Sequence, residues 1–266
     1  MAAFDRYCFV RYIKGMDHVN VTPTSDLYGQ LQRVATHFNQ TLFEGVLPPL
    51  VITLQRSGTA SGYFSASRWI HSNGMMASEL ALNPAYFATR PLIALYQTVV
   101  HELCHLWQYI DGSASRPGYH NSAWAKKMMD IGLVPSSTGK PGGATTGQKM
   151  SDYPLPGGKF LDACEALAVE GFALTWLDQG RRMAVDFRCT LETPLDIEEG
   201  IAQQLLSPLV AFFPNLERQP PLGVANEKLK IKYSCPSCQV RVWGKRGLVI
   251  TCGNCGQAFR EMAPKR

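Results

Sequence analysis

Between Pro91 and Ile110 the chain reads PLIALYQTVVHELCHLWQYI, and no other stretch restricts the fold so tightly. Leu92, Leu95, Val99, Val100, Leu103, Leu106 and Ile110 recur at helical spacing, which predicts one long helix with an apolar face. Thr89 can cap its start, Pro91 suits its first turn, and Gly112 can end it. Inside this helix stands His101-Glu102-Leu103-Cys104-His105. Histidines four apart lie on one face, about one turn apart. Their imidazoles can grip one ion together, and Zn²⁺ accepts nitrogen ligands readily. Glu102 is turned away from that face but stays beside it, placed to take a proton from a water activated at the metal. The bland alternative is two hydrogen-bonded histidines on a core helix. The motif's position inside a well-bounded apolar helix favours the H-E-x-x-H pattern of zinc hydrolases, most often peptidases.

A catalytic zinc usually has three protein ligands and one open position. One histidine follows the motif: His120, with fourteen residues between it and His105. The intervening Gly, Ser and Pro allow the chain to leave the helix, turn and return. Trp124, Met128 and Ile131 then mark a second helix, with His120 expected in its first turn. The competing third ligands are Glu165 and Glu170, on a helix predicted over 160–176. Leu-Trp-Gln after His105 excludes the metzincin pattern, which continues H-x-x-G-x-x-H.

The second constellation is Cys235-Pro-Ser-Cys238 and Cys252-Gly-Asn-Cys255. Two C-x-x-C pairs across a short strand–turn–strand stretch supply four thiolates for a closed tetrahedral site, a structural zinc ribbon. Gly253 and Gly256 suit the tight turns, and QVRVW and LVIT read as strands around 244–247. So short a unit buries little, so the metal is expected to supply much of its folding free energy. A pair of disulfides is the alternative and fits a reducing compartment poorly. Cys8, Cys104, Cys164 and Cys189 stand alone and read as small core residues.

The chain carries +5 overall, yet residues 226–266 hold nine basic against two acidic side chains, or +7. A basic ribbon bearing aromatic residues suits phosphate contact and base stacking, with Arg241, Trp243, Lys245 and Arg246 as candidate nucleic-acid contacts. The bland alternative is a solubilising tail. The N-terminal MAAFDRYCFVRYIKG shows no apolar signal segment, and no apolar run reaches the length of a membrane span. These features predict a cytoplasmic protein, with association to the nucleoid as a further option, no membrane partner and an undetermined oligomeric state. Ser25–Phe43 reads as an amphipathic helix ended by Gly45. Leu50–Leu54, Gly62–Ala66 and Ser78–Leu82 read as short antiparallel strands, Ser78–Leu82 being the candidate edge for pairing with a substrate backbone. Ser136–Gly158 reads as a flexible loop, where Gly139-Lys140 lacks the spacing of a phosphate loop. Residues 160–216 read as helical, and Pro220-Pro221 as a linker.

HFNQTLFEGVLPPLVITL, SGYFSASRW, ELALNPAYF, VVHELCHLWQ and GYHNSAWAKKM, in that order over residues 25–132, resemble the SprT-like (Spartan-type) zinc metalloproteases. The ribbon is a second point of likeness. The resemblance implies a small metalloprotease core in which His101, His105 and His120 hold zinc and Glu102 is the catalytic acid/base. Eukaryotic members cut proteins trapped on DNA and use DNA as activator. Two departures stand out: Tyr119-His120-Asn121 replaces the frequent Gly-His-Gly, and the segment 133–230 is long.

The expectation is therefore an α+β protein. A small antiparallel sheet packs on the H-E-x-x-H helix over 1–132, a helical extension with a Gly/Ser/Pro loop spans 133–225, and a zinc ribbon spans 226–266. The predicted activity is a zinc-dependent endopeptidase with one catalytic and one structural Zn²⁺, a protein substrate and DNA as partner. The alternatives are a non-enzymatic DNA-binding protein on a metallopeptidase-like scaffold, and a zinc hydrolase acting on a non-peptide amide.

Overall fold

Leu31, Val34, Ala35, Phe38 and Leu42 recur at helical spacing and are buried, so the first amphipathic stretch forms helix α1 (Pro23–Leu42). In this computed structural model residues 22–56, 59–178, 199–213 and 231–262 are described. The N-terminal stretch with Cys8, as well as Cys189, the Pro220-Pro221 linker, Lys228, Lys230, Lys265 and Arg266 lie outside them. So do 179–198 and 214–216 of the stretch read as helical. The chain divides into two compact units, Met1–Gln219 and Pro220–Arg266.

In the first unit, strands β1 (Leu50–Leu54), β2 (Gly62–Ile70) and β3 (Met76–Leu82) form one sheet in the order β1-β3-β2. The fold is α+β as expected, but the sheet is mixed. β1 runs parallel to β3 with Leu50 opposite Ser78 and Leu54 opposite Leu82, and only the β2–β3 hairpin is antiparallel. Alternation along β3 sends Leu80 and Leu82 into the core. On the opposite face Glu79 accepts hydrogen bonds from Thr53 Oγ1 (2.6 Å) and Gln55 Nε2 (3.1 Å).

Helix α2 (Leu92–Asp111) crosses the core and carries His101, Glu102 and His105. Gly112, at φ 72°, ends it as expected. Its start differs from the expectation: Pro91 is the N-cap, and Thr89 contributes no capping bond. Gly62 lets β2 approach α2 closely. A Cβ there would lie 2.8 Å from Thr98 Cγ2 and 2.9 Å from the Ala81 carbonyl.

Helix α3 (Ser122–Asp130) is capped by Asn121, whose Oδ1 accepts from the Trp124 amide at 3.1 Å. His120 therefore precedes the cap instead of lying in the first turn. The stretch 136–158 is not an unpaired loop. Strand β4 (Leu133–Ser136) pairs antiparallel with β5 (Ser151–Pro154), and His120 and Gly147 exchange backbone hydrogen bonds of 2.9 and 3.0 Å. Helix α4 (Lys159–Val169) packs along α1, with His37 Nε2 donating to the Ala163 carbonyl (2.8 Å). The helix stops seven residues short of Trp176. Residues 172–178 run on without regular structure, Thr175 and Trp176 bonding to Asp26. Helix α5 (Glu199–Leu206) and a 3₁₀ turn (Leu209–Phe212) complete the unit. Cys104 and Cys164 are core residues, as expected.

In the second unit, β6 (Ile231–Ser234) is the centre of a three-stranded sheet with β7 (Arg241–Gly244) and β8 (Arg260–Glu261). The 248–251 stretch is not a strand; Thr251 makes only an isolated bridge to Ala258. The residues that turn left-handed after each cysteine pair are Gln239 (φ 58°) and Gly256 (φ 69°), not Gly253.

Candidate metal centres and cleft

The helical repeat puts His101 and His105 on one face of α2, and the turn before α3 brings His120 to them. Their ligand-capable nitrogens all lie within 4.8 Å of one another, with His101 Nε2 and His120 Nε2 3.1 Å apart. A tetrahedral ion bound to nitrogens at about 2.0–2.1 Å needs them roughly 3.3 Å apart. Each of these two rings turns its other nitrogen to a fixed acceptor: His101 Nδ1 to Asp152 Oδ2 (3.0 Å) and His120 Nδ1 to the Gly147 carbonyl (3.1 Å). With both Nδ1 atoms donating, two Nε2 lone pairs face each other, and only a shared proton or a cation relieves that contact. The three histidines can hold a metal ion. Neither Glu165 nor Glu170 belongs to this group; Glu170 pairs with Arg33 at 2.8 Å.

The electrostatics favour the neutral, metal-binding form at His105 and His120, and differ at His101. Burial, reinforced by His101 and His120, pushes His105 down to about 3. Burial and the neighbouring His101 push His120 down to about 4, against the Gly147 bond. Burial opposes the charged form of His101 as well, but the Asp152 hydrogen bond and the charges of Glu102 and Asp152 outweigh it and raise its pKa. Burial also pushes the Glu102 carboxyl up from its ordinary value, opposed by His101 and by the Phe64 backbone.

Trp124 is fully buried behind the three rings. Its indole lies 4.4 Å from His120 and 4.8 Å from His101 edge to face, and stacks on His105 at 5.4 Å with an interplanar angle of 20°. Helical spacing identifies Trp124 as a core residue, but not as the plate on which the triad rests. Trp124→Ala is expected to destabilise the first unit by about 3–5 kcal/mol, the usual cost of emptying a large aromatic site. Denaturant unfolding of the metal-free chain measures that cost. Metal titration should show weaker binding at the histidines in the same variant.

The histidines and Glu102 line an open cleft. One wall is Gly62–Ala66 of β2; the other is formed by 114–120 and 148–152. The expected edge strand, Ser78–Leu82, is instead the middle of the sheet, and the free edge at the cleft belongs to β2.

In the second unit the sulfur of Cys235 lies 3.4 Å from that of Cys255, and Cys238 lies 3.3 Å from Cys252 and 3.7 Å from Cys255. Thiolates around a zinc at about 2.3 Å stand roughly 3.8 Å apart, so the four cysteines can hold a second ion. Backbone amides of Cys238 and Ser237 pull the Cys235 thiol down to about 6, while the neighbouring sulfurs push Cys238 up to about 12. Four thiolates this close need a cation among them. Arg241 and Trp243 lie two apart on β7, and Lys232 stands opposite Trp243. Ser234 pairs with both Arg241 and Arg260. Lys232, Arg241, Trp243 and Arg260 thus share one sheet face, Trp243 being 63% exposed. Lys245 and Arg246 lie in the turn after β7.

Residues 31–141 match the SprT-like family. A Salmonella typhimurium relative, described as an uncharacterized protein in the mucB 3′ region, is 43% identical over 63 residues, which are 24% of this chain and 84% of that protein. No solved structure matches. The chain belongs to the SprT-like family, and that membership points to a metallopeptidase-like function. No helix among the described residues is long and apolar enough to cross a membrane.

Proposed function

We propose that this chain is a zinc-dependent endopeptidase whose ion is held by His101, His105 and His120. The observation that carries the reading is the meeting of three imidazoles with a buried carboxylate, Glu102, on the floor of a cleft walled by a free strand edge. Zinc bound there supplies a Lewis acid that makes water easier to deprotonate and polarises a carbonyl. Glu102 takes the proton from the attacking water and returns it to the departing amine. The open edge of β2 at 62–66 pairs with the extended backbone of the substrate and presents its carbonyl to the histidines. Cys235, Cys238, Cys252 and Cys255 hold a structural zinc. Metal analysis is expected to give two ions per chain, falling to one in His105→Ala; two ions in that variant would remove His105 from the ligand set.

The substrate class we propose is protein bound to or trapped on DNA. Arg241 and Trp243, joined on their face by Lys232 and Arg260, contact phosphates and stack on bases, with Lys245 and Arg246 extending the basic surface. The test is incubation with a DNA-bound protein, with and without DNA and with and without chelator. Fragments that require metal and increase with DNA support the reading. Binding without fragments would instead make this a DNA-binding protein on a metallopeptidase scaffold.

A further inference from the structure

We infer that Asp152, braced by Gln97, is the positioning residue of the histidine metal centre, and that the β4–β5 segment is thereby part of that centre. The inference rests on the metal reading of the three histidines. Asp152 lies on β5, outside the 31–141 stretch that matches the family. Its Oδ2 accepts from His101 Nδ1 at 3.0 Å, and its Oδ1 accepts from Gln97 Nε2 at 3.0 Å. Gln97 Nε2 also reaches the Asp152 carbonyl at 3.3 Å. Gln97 stands four residues before His101, on the same face of α2. The carboxylate is thus held from two sides by one helix.

Its surroundings give this arrangement a purpose. The Asp152 side chain is only 8% exposed, and among the described residues no lysine or arginine pairs with it. A buried carboxylate without a cation is costly. Here the one ionisable partner is an imidazole whose far nitrogen points at the other histidines. A cation at the histidines compensates Asp152 through the His101 ring, and Asp152 in turn fixes the ring's tautomer and strengthens Nε2 as a donor. Five residues earlier, the Gly147 carbonyl does the same for His120 Nδ1. One short segment therefore orients two of the three ligands, and neither contact is available to a chain cut at the end of the family match.

The test uses the full chain, stripped of metal and titrated with Co²⁺. Cobalt colours the two sites differently, because only the ribbon offers thiolate ligands. In Asp152→Ala the affinity of the histidine site should fall about 10–100-fold and its visible spectrum should change. Asp152→Asn, which keeps an acceptor but loses the charge, should fall between that variant and the parent chain. The ribbon bands should stay the same in both. If the alanine variant fails to fold, the asparagine variant decides. Parent-like affinity and spectrum at the histidines in whichever variant folds would overturn the inference. A parent chain that takes no ion at the histidines would bring down this inference and the metal reading together. A parent chain that binds cobalt there but cuts no protein would sink the peptidase reading alone.

Discussion

Glu102→Gln is expected to lower kcat/KM on an unfolded protein substrate by about 10²–10⁴-fold, the range that a positioned proton carrier contributes, while both sites keep their ions. The two side chains are nearly identical in shape. The neutral amide fills the same space on α2, so the floor of the cleft keeps its form. What disappears is a group able to hold a proton between its removal from water and its delivery to the amine. Glu102 is buried on α2 beside the ligands, and that burial raises its proton affinity, as such an acceptor requires. The measurement pairs steady-state cleavage with metal analysis on the same preparation. Cleavage at the parent rate with metal in place would take Glu102 out of the mechanism. A joint loss of metal and cleavage would show instead that the carboxylate supports the fold of the centre.

What could be read in the chain and what could not divide along the range of the interactions. The active helix was legible because its apolar period, the Gly112 stop and the four-residue spacing of its histidines are all local. β1 was legible to the residue, as a short apolar run that follows two prolines and precedes polar residues. The four ribbon cysteines needed only their spacing. The parallel pairing of β1 with β3 was not legible, because it depends on how a hairpin docks beside a distant strand. The same fact moved the free edge from 78–82 to β2. Asp152 and Gly147 escaped notice for the same reason. They sit in a stretch whose Gly, Ser, Thr and Pro content reads as loop, and their partners are 51 and 27 residues away. No local signal marks a lone aspartate as the partner of a histidine that far off. Only the pairing of β4 with β5 and of His120 with Gly147 brings them in. Glu165 and Glu170 competed with His120 for want of the same tertiary information. The Arg33 pair takes Glu170 out to the surface.

Removing the ion from the four cysteines should unfold the ribbon while the first unit stays folded. Among the described residues of the ribbon, only Tyr233, Cys235 and Cys252 are buried. Val240, Trp243, Leu248, Val249 and Met262 are exposed, Val249 at 96%, and Ile231, Val242, Ile250 and Phe259 are only partly covered, so there is little hydrophobic core to take over. Tyr233 organises what interior exists: its hydroxyl donates to the Lys245 carbonyl (2.6 Å) and accepts from the Leu248 amide (3.1 Å). Those bonds join the turn to β6 but contribute roughly 1 kcal/mol each. A structural zinc in a unit of this kind contributes on the order of 10–16 kcal/mol, so it dominates every other term. The first unit has its own core of buried helices and sheet and needs no ion for it. In amide NMR spectra of the full chain, a strong chelator or Cys252→Ser should therefore collapse the signals of 231–262 to unfolded positions and leave those of α1, α2 and the sheet dispersed. Without the ion, proteolysis should cut within 231–262 first. A ribbon that kept its dispersion after complete metal removal would mean that the four sulfurs do not hold the unit together.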